Sequence, residues 1–342
     1  MENNKVLITG GLGFIGAHFV HHYRQVQPKA HIIVFDKNTY AANINRIDDL
    51  VNTARFTYIE GDISNQETVN RVFEEHQPTH VIHFAAESHV DNSIAGPLPF
   101  LKTNVEGTFY LLEAARKTWM QSPQKLKSAF KNARFYHIST DEVFGSLEKE
   151  GLFNEQSNYA PNSPYSASKA AADHWVRSYF HTYGLPTLLS HCSNNYGPHQ
   201  HNEKLIPTII RTALSGEPIP LYGDGQNVRD WLYVEDHCSA IERILAEGTP
   251  GQVFCIGGNA ERSNLDICTA IVQQLDQRQP KESGASYAEQ ITFVTDRLGH
   301  DFRYAIETTK IKTELGWEPK HNVEAGLEKT IAHYLAKYKN LP

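Results

Sequence analysis

Long apolar runs and a leader-like start are both lacking from this sequence. It contains no run of 18 or more apolar residues, and its first stretch, MENNKVLITGG, has neither a basic segment nor a long apolar segment. We therefore expect neither a transmembrane helix nor a secretory signal peptide. Cysteine is also scarce. The four cysteines show no C-x-x-C spacing, so we expect no disulfide framework, no metal site and a reducing, cytoplasmic environment.

An excess of basic charge is lacking too. The chain has 32 Lys and Arg against 39 Asp and Glu, a formal net charge of -7. This balance gives no general attraction for nucleic acid or an anionic membrane, so neither is expected as a partner. An anionic ligand would have to be held by a few locally placed basic groups. With 342 residues, 40% of them hydrophobic, the chain is long enough for one large domain or two closely joined ones.

The first half of the sequence alternates short apolar runs with amphipathic stretches. The runs are uniformly apolar and too short for amphipathic helices, which is typical of strands buried on both faces. Such alternation predicts an α/β fold with a Rossmann-type, doubly wound parallel sheet. The predicted strands are 5–9, 31–35, 56–59, 80–84, 135–139 and 187–191.

The pattern changes after about Ser193, where loops rich in Pro, Gly and Asn begin. We predict helices at roughly 204–215 and 263–276, within a smaller C-terminal lobe that covers the carboxyl edge of the sheet. The predicted division assigns 1–193 to the first domain, to which 230–257 returns, and 194–229 with 258–342 to the lobe.

A glycine-rich turn, GGLGFIG, follows the first predicted strand and carries Gly10, Gly13 and Gly16. Glycine permits the tight turn and a close approach of backbone N–H groups to a pyrophosphate, and the next helix adds its positive N-terminal end. Asp36 ends the second strand, 20 residues after Gly16. A carboxylate there can bind ribose hydroxyls and would repel a 2′-phosphate, so the pattern favours NAD over NADP. Asp62 either faces the adenine or is simply a residue at a helix start.

Tyr165 and Lys169 are four residues apart on a helix that Ser163 can cap and Pro164 can begin. An ammonium beside a phenol, near a positive nicotinamide ring, is expected to lower the pKa of the phenol and make Tyr165 a general base. A solvated helix face gives the same spacing. The glycine turn in the same chain favours the catalytic interpretation.

The run Thr140-Asp141-Glu142 follows the fifth predicted strand, at the edge where such sheets bind ligands. Thr140 could bind the hydroxyl that Tyr165 deprotonates. Two carboxyl groups in different environments can divide the base and acid roles of an elimination. An ordinary acidic loop at the end of a strand is the alternative.

These motifs resemble those of the extended short-chain dehydrogenase/reductase superfamily and, within it, the dTDP-glucose 4,6-dehydratase family. The resemblance covers nearly the whole chain. Its segments occur in one order: GGLGFIG from Gly10, FAAESHVDNSI from Phe84, STDEVFG from Ser139, YSASK from Tyr165, CSNNYGP from Cys192, EKLIP from Glu203, GDGQNVRDWLYVEDH from Gly223 and DRLGHDFRYAI from Asp296.

The resemblance implies an NAD-dependent hydro-lyase reaction on dTDP-glucose. Tyr165 would take the O4 proton as hydride leaves C4, helped by Thr140 and Lys169. The resulting ketone acidifies C5, where Glu142 would remove a proton while Asp141 protonates the departing C6 hydroxyl. Hydride return to C6 would give dTDP-4-keto-6-deoxyglucose, an intermediate in deoxysugar biosynthesis.

The same resemblance implies ligand contacts for other residues. For NAD they are Gly10, Gly13, Phe14, Ile15, Gly16, Asp36, Lys37, Thr39, Asp62, Ile63, Ala86, Thr103, Tyr165, Lys169 and Asn194. For the nucleotide-sugar, in the lobe and the facing loops, they are Ser88, Thr140, Asn195, Lys204, Leu205, Tyr222, Arg229, Asn264 and Arg297. Guanidinium groups can bind a pyrophosphate bidentately, which agrees with Arg229 and Arg297.

The sequence departs from the family pattern at Ala42, Asn92, Phe144, His191 and 199–202, and none of these departures removes a proposed catalytic group. Alternatives remain within the superfamily: a 4,6-dehydratase of a UDP-linked hexose, or a nucleotide-sugar 4-epimerase or decarboxylase. The pair Asp141-Glu142 argues against the last two. A non-enzymatic sensor of dinucleotides would be expected to lack Tyr165 or Lys169.

A homodimer is the expected assembly. The helix predicted over Pro164–Tyr183 and the one near Leu101–Arg116 carry alanines that permit close packing against a partner. The resemblance implies an interface of four helices, two from each subunit.

Overall fold

The computed structural model describes residues 4–338. Its strands, in chain order, are β1 (Lys5–Thr9), β2 (His31–Asp36), β3 (Phe56–Glu60), β4 (His80–His83), β5 (Met120–Ser122), β6 (Lys125–Leu126), β7 (Arg134–Thr140), β8 (Thr187–Cys192), β9 (Asn194–Tyr196), β10 (Ile219–Tyr222), β11 (Val228–Tyr233), β12 (Val253–Ile256), β13 (Glu261–Ser263) and β14 (Ile291–Val294). Its α-helices are α1 (Phe14–Val26), α2 (Gln66–His76), α3 (Val90–Ala95), α4 (Leu98–Phe100), α5 (Thr108–Trp119), α6 (Pro164–Tyr183), α7 (Leu205–Leu214), α8 (Val234–Glu247), α9 (Asn264–Arg278), α10 (Thr309–Leu315) and α11 (Val323–Tyr338).

A seven-stranded parallel sheet forms the centre of the first lobe, in the order β12-β8-β7-β4-β1-β2-β3. All six strands predicted from the apolar runs belong to it, with ends that differ by at most one residue. The order runs outward in both directions from β1 and β4, so the predicted doubly wound α/β fold is confirmed.

Successive residues of each strand face opposite sides of the sheet, and each side has its own apolar core. On one side Val6 and Ile8 pack with α1, α8 and α10. On the other side Leu7 packs with α2, α5 and α6. Burial on both faces explains why these strands are apolar throughout instead of alternating.

A third apolar core organises the later part of the chain. It gathers side chains from α7, α9, α11, β10 and β11, including the buried Ile209, Trp231, Ile271 and Leu327. The strands of this lobe form small sheets, β13-β11-β9 and β10-β14. Between these elements, β12 pairs with β8 and so joins the central sheet. The chain therefore leaves the first lobe after β8 and re-enters it with α8 and β12.

The helix expected near Leu101–Arg116 differs from a regular α-helix. Residues Leu101–Gly107 form a π-helix, which continues directly into α5. Asn104, within this segment, bonds both to the backbone of Glu87 and to Ser168 of α6. The wider turn thus brings a polar side chain into contact with two neighbouring segments, as π-turns at functional sites often do.

Among residues 4–338, no helix combines the length and the apolar character that crossing a bilayer would require.

Candidate active site

A cavity of about 340 Å³ lies where the strands of the central sheet end, between the two lobes. The ligand sites of open α/β sheets are found at this edge. The sequence-predicted residues that line it are Gly10, Gly13, Phe14, Ile15, Gly16, Asp36, Lys37, Thr39, Asp62, Ile63, Ala86, Ser88, Thr103, Thr140, Asp141, Glu142, Tyr165, Lys169, Asn194, Asn195 and Lys204. The predicted residues outside its lining are Leu205, Tyr222, Arg229, Asn264 and Arg297.

The glycine turn connects β1 to α1 at one end of this cavity. Gly10 has φ +72°, and a Cβ at this position would lie 2.6 Å from the backbone nitrogen of Ala85. The N–H of Gly13 donates to the carbonyl of Gly10 at 3.1 Å, and no side chain of the described residues caps α1. The first turn of α1 therefore presents backbone N–H groups toward the cavity, an arrangement that suits a phosphate.

Asp36 lies at the end of β2, on the wall next to the glycine turn. Its Oδ2 accepts a hydrogen bond from the N–H of Leu12, and its Oδ1 accepts one from the N–H of Asn38, both at 2.9 Å. Burial raises the pKa of Asp36, and these hydrogen bonds oppose the rise. Each carboxylate oxygen keeps a lone pair for a ligand hydroxyl, so the position fits a ribose and disfavours a phosphate there.

Asp62 pairs with Lys37 at 2.8 Å, and its Oδ1 accepts hydrogen bonds from both the N–H and the hydroxyl of Ser64. Burial would raise the pKa of Asp62, but these contacts outweigh it and hold the pKa below its usual range. The cap of α2 is Asn65, whose side chain accepts from the N–H of Thr68. Asp62 is thus a wall residue of the cavity and not the cap of a helix.

Tyr165 and Lys169 project from the first turns of α6 into the cavity. Ser163 caps the helix by accepting a hydrogen bond from the N–H of Ser166 at 3.1 Å, and Pro164 begins it, as the sequence predicted. Lys169 Nζ donates to the carbonyl of Ile138 at 2.8 Å.

The groups that the chain itself supplies do not lower the pKa of Tyr165, so this part of the expectation is wrong. Burial and the nearby Glu142 carboxyl raise the pKa of Tyr165 well above its usual value, although a hydrogen bond with Thr140 opposes the rise. The Lys169 ammonium, one helical turn further along α6, donates to the carbonyl of Ile138 and lies 3.4 Å from His137 Nε2.

Asp141 and Glu142 begin a short 3₁₀ helix, Asp141–Phe144, directly after β7. The Thr140 hydroxyl oxygen accepts from the N–H of Glu142, and the hydroxyl lies 3.3 Å from Asp141 Oδ1. Asp141 is 1% exposed, and its Oδ2 has no hydrogen-bond partner among the described residues. The pair therefore sits inside the cavity and is not a solvated acidic loop.

The two carboxyl groups differ in their surroundings. Burial, Glu142 and Asp230 raise the pKa of Asp141 well above its usual range. Burial also raises the pKa of Glu142, but the cationic Arg229 and Lys204 oppose that rise. Asp141 is thus the group that holds a proton more firmly, and Glu142 the one that ionises more readily, a division that an acid and a base need.

Arg229 is buried rather than being a surface arginine. It is 7% exposed, donates to the carbonyls of Val228, Asp301 and Phe302, and lies over the ring of Tyr304 at 4.4 Å. Although it does not line the cavity, it acts electrostatically on Glu142.

Arg297 and Tyr222 lie together beyond the cavity lining. The guanidinium lies over the Tyr222 ring at 5.2 Å, and its Nε is 2.6 Å from Asp91 Oδ1. Leu205 and Asn264 are the first residues of α7 and α9. Lys204, just before α7, donates to the carbonyl of Ser88 at 3.2 Å and so bridges the two lobes.

Comparison with known proteins gives one consistent result. The family model described as GDP-mannose 4,6 dehydratase matches residues 7–330. The dTDP-glucose 4,6-dehydratase of Xanthomonas campestris pv. campestris is 52% identical over 329 residues, covering 96% of this chain and 92% of the relative. The chain belongs to the dTDP-glucose 4,6-dehydratase family.

Solved members of the dTDP-glucose 4,6-dehydratase family have the same fold. The enzyme from Bacillus anthracis, determined in complex with NAD, matches with a TM-score of 0.85 at 41% identity and 98% coverage of each chain. DesIV from Streptomyces venezuelae, determined with NAD and TYD bound, matches with a TM-score of 0.86 at 40% identity and the same coverage. The resemblance drawn from the motifs is therefore confirmed.

Several wall residues of this family member escaped the sequence analysis. They include Glu87, Cys192, Ser193, Gln200 and Glu203. Each lies within a few residues of a predicted contact, and this proximity is the signal that could have found them. The backbone of Glu87 is held by Asn104, which bonds both its N–H and its carbonyl.

Proposed function

We propose that this chain is an NAD-dependent dTDP-glucose 4,6-dehydratase that converts dTDP-glucose to dTDP-4-keto-6-deoxyglucose and water. The observation that carries the proposal is the convergence of Tyr165, Asp141 and Glu142 on one cavity whose other end is the glycine turn. The names of the relatives support the same reaction.

The residues that would hold NAD are those of the glycine turn, together with Asp36 and the wall residues around Asp62. These residues fit the cofactor for two reasons. The turn at Gly10 passes so close to Ala85 that a side chain would not fit there, and the N–H groups that begin α1 face the cavity. NAD, when bound, accepts a hydride from C4 of the sugar and later returns it to C6. Its positive ring would also favour ionisation of Tyr165.

Tyr165 takes the proton of the C4 hydroxyl in the first step. Thr140 forms a hydrogen bond with this phenol and orients it. Lys169, fixed by the carbonyl of Ile138, places an ammonium beside the site and stabilises the phenolate as it forms.

Elimination follows at the neighbouring carbons. A ketone at C4 makes the C5 hydrogen acidic, and Glu142 removes it. Asp141, whose pKa burial raises, donates a proton to the C6 hydroxyl, which leaves as water. As the hydride is returned to C6 of the resulting double bond, Glu142 gives its proton back to C5.

We assign substrate contacts to two groups of residues. Ser88, Thr140, Asn195 and Lys204 would contact the sugar and its phosphates from the cavity wall. Leu205, Tyr222, Arg229, Asn264 and Arg297 would form the outer part of the nucleotide site. The corresponding division of the chain is an NAD-binding domain of 1–193 with 230–257, and a substrate lobe of 194–229 with 258–342.

Separate incubations with dTDP-glucose, UDP-glucose and UDP-N-acetylglucosamine test the proposal. Mass spectrometry should show the loss of one water from dTDP-glucose, and the Tyr165→Phe variant should show none. Water loss from a UDP-sugar but not from dTDP-glucose would contradict the nucleotide assignment. Epimerisation without water loss would contradict the dehydratase assignment.

We also propose a cytoplasmic homodimer. Support for the interface comes from large apolar side chains that remain exposed on the faces of α4, the π-helix and α6. Leu98, Leu101 and Trp175 are 58%, 51% and 41% exposed. Apolar groups of this size, grouped on adjacent helices, are typical of a surface that another subunit covers.

A further inference from the structure

A third functional side chain lies on the helical stripe that carries Tyr165 and Lys169. Asp173 follows Lys169 by four residues on α6, so all three project from one side of the helix. It is 1% exposed and lies behind the cavity wall, not in its lining. A carboxylate buried this deeply requires compensating contacts.

Those contacts converge on one oxygen of Asp173. Its Oδ2 accepts a hydrogen bond from the Ser139 hydroxyl at 2.9 Å and from the Tyr159 hydroxyl at 3.2 Å. His191 Nε2 lies 3.1 Å from the same oxygen. Burial would raise the pKa of Asp173, but His137 and His191 outweigh it and hold the pKa well below its usual range. The group is therefore an anion at neutral pH.

The other oxygen of Asp173 and the Lys169 ammonium lie close to the same nitrogen of an imidazole ring. His137 Nε2 lies 3.2 Å from Asp173 Oδ1 and 3.4 Å from Lys169 Nζ. Burial and Lys169 lower the pKa of His137 to about 4, so the ring is neutral at neutral pH. A carboxylate and an ammonium are thus buried next to the same nitrogen of a neutral imidazole.

We propose that Asp173 is the buried counter-ion of Lys169, a positioning residue that keeps the lysine protonated from the far side of their shared contact with His137 Nε2. The inference rests on the proposed dehydratase function, in which the Lys169 ammonium supports the Tyr165 phenolate. A buried ammonium is costly unless an anion compensates it, and removing that anion leaves an unpaired charge.

The other groups around Lys169 do not replace this anion. From β8, the buried Cys192 thiol has its pKa raised to about 12 by burial and so stays neutral. From β4, burial lowers the pKa of His83 well below its usual range, so it is neutral too. Burial lowers the pKa of Lys169 itself, and Asp173 is the largest influence that opposes this.

The first test is the pH profile of the Asp173→Asn variant. Without the carboxylate, Lys169 should lose its proton at lower pH, so the alkaline fall of kcat should move down by about one to two pH units. KM for dTDP-glucose should stay within about twofold, because Asp173 does not line the cavity.

A matched control is Asp236→Asn. Asp236 lies on α8 and is another buried carboxylate that pairs with a histidine, His321. The alkaline limb of this variant should coincide with that of the unmodified enzyme. An Asp173→Asn enzyme with reduced kcat but an unmoved alkaline limb would overturn the counter-ion role. Absence of turnover in the unmodified enzyme would instead contradict the proposed function. The counter-ion role of Asp173 would then be tested by a stability measurement.

That measurement is thermal unfolding of Asp173→Asn, Lys169→Met and the double variant. Asp173→Asn should lower the unfolding midpoint, or prevent folding, because it leaves Lys169 without its anion. The double variant should recover most of the loss, because methionine needs no counter-ion. Equal or additive losses in the double variant would overturn the proposal, whether or not the enzyme turns over dTDP-glucose.

Discussion

Two adjacent carboxyl groups follow one strand of the sheet, yet the protein gives them different proton affinities. Asp141 is enclosed and meets two other acidic groups, Glu142 and Asp230. Around Glu142, the cationic Arg229 and Lys204 oppose the rise in pKa that burial causes. The difference in proton affinity thus arises largely from residues distant in sequence, and it lets two consecutive carboxyl groups serve as acid and base.

Replacing Glu142 by Gln should separate the two halves of the reaction. The amide cannot remove the C5 proton, so turnover should fall by about 10²- to 10⁴-fold while oxidation at C4 still occurs. Absorbance of reduced nicotinamide, bound to the enzyme, should rise when dTDP-glucose is added.

Tyr165→Phe should give no such absorbance, because its defect precedes hydride transfer. The exposed Glu148, replaced by Gln in the same segment, should leave turnover unchanged. Normal turnover of Glu142→Gln would show that its assigned role is wrong.

Replacing Asp141 by Asn should stabilise the protein while it slows catalysis. The pKa of Asp141 is raised in the folded state, so the wild type loses stability as pH rises from the unfolded pKa toward the folded one. The variant has no proton to lose. Its free energy of unfolding should exceed that of the wild type by about 1–2 kcal/mol at pH 8.

This advantage should disappear below about pH 4, where the wild-type carboxyl is protonated in both the folded and unfolded states. Chemical denaturation at several pH values measures the difference. An advantage of equal size at all pH values would indicate a packing effect instead of relief of a buried charge.

At the scale of elements, the glycine turn joins the sheet to the cofactor site. Gly10→Ala forces a side chain into a left-handed backbone conformation and against Ala85. We expect the free energy of unfolding to fall by about 1–3 kcal/mol and NAD binding to weaken.

Gly96→Ala is the matched control, because a Cβ there would meet nothing within 4 Å and its φ is negative. It should change stability by less than about 1 kcal/mol. Calorimetric titration with NAD and denaturation of both variants provide the comparison. Equal effects of the two substitutions would contradict the close-approach argument.

The elements that the sequence predicts well are those determined by local patterns. The helix α6 begins and ends as expected because Ser163, Pro164 and Gly184 act within one turn of its ends. The π-helix at Leu101–Gly107 was not predicted, because it depends on the bonds of Asn104 to segments before and after it in the chain.

The same distinction applies to the site. The glycine turn, Asp36 and the Tyr165–Lys169 pair follow from spacing. The burial of Arg229 does not follow from spacing, since two of the three carbonyls that it donates to belong to residues more than 70 positions later. The raised pKa of Tyr165 also depends on burial that only the assembled fold creates.

At the scale of the whole molecule, the exposed apolar side chains on α4, the π-helix and α6 support the proposed dimer. Leu101→Asp should place a charge in the proposed interface and shift the protein toward the monomer, as measured by sedimentation at micromolar concentration. Val26→Asp on α1, which is 44% exposed on a different helix, should not. A monomeric unmodified protein would contradict the proposed assembly.

Because β12 returns to the edge of the central sheet, the two lobes are expected to fold and unfold together. Because the chain passes from one lobe to the other and back, truncation near residue 200 would remove β12 from the central sheet and α8 from the apolar core on one of its faces. Neither the part of the chain before residue 200 nor the part after it is therefore expected to fold alone. Limited proteolysis should yield no fragment that survives alone, and heating should melt the molecule in a single cooperative step.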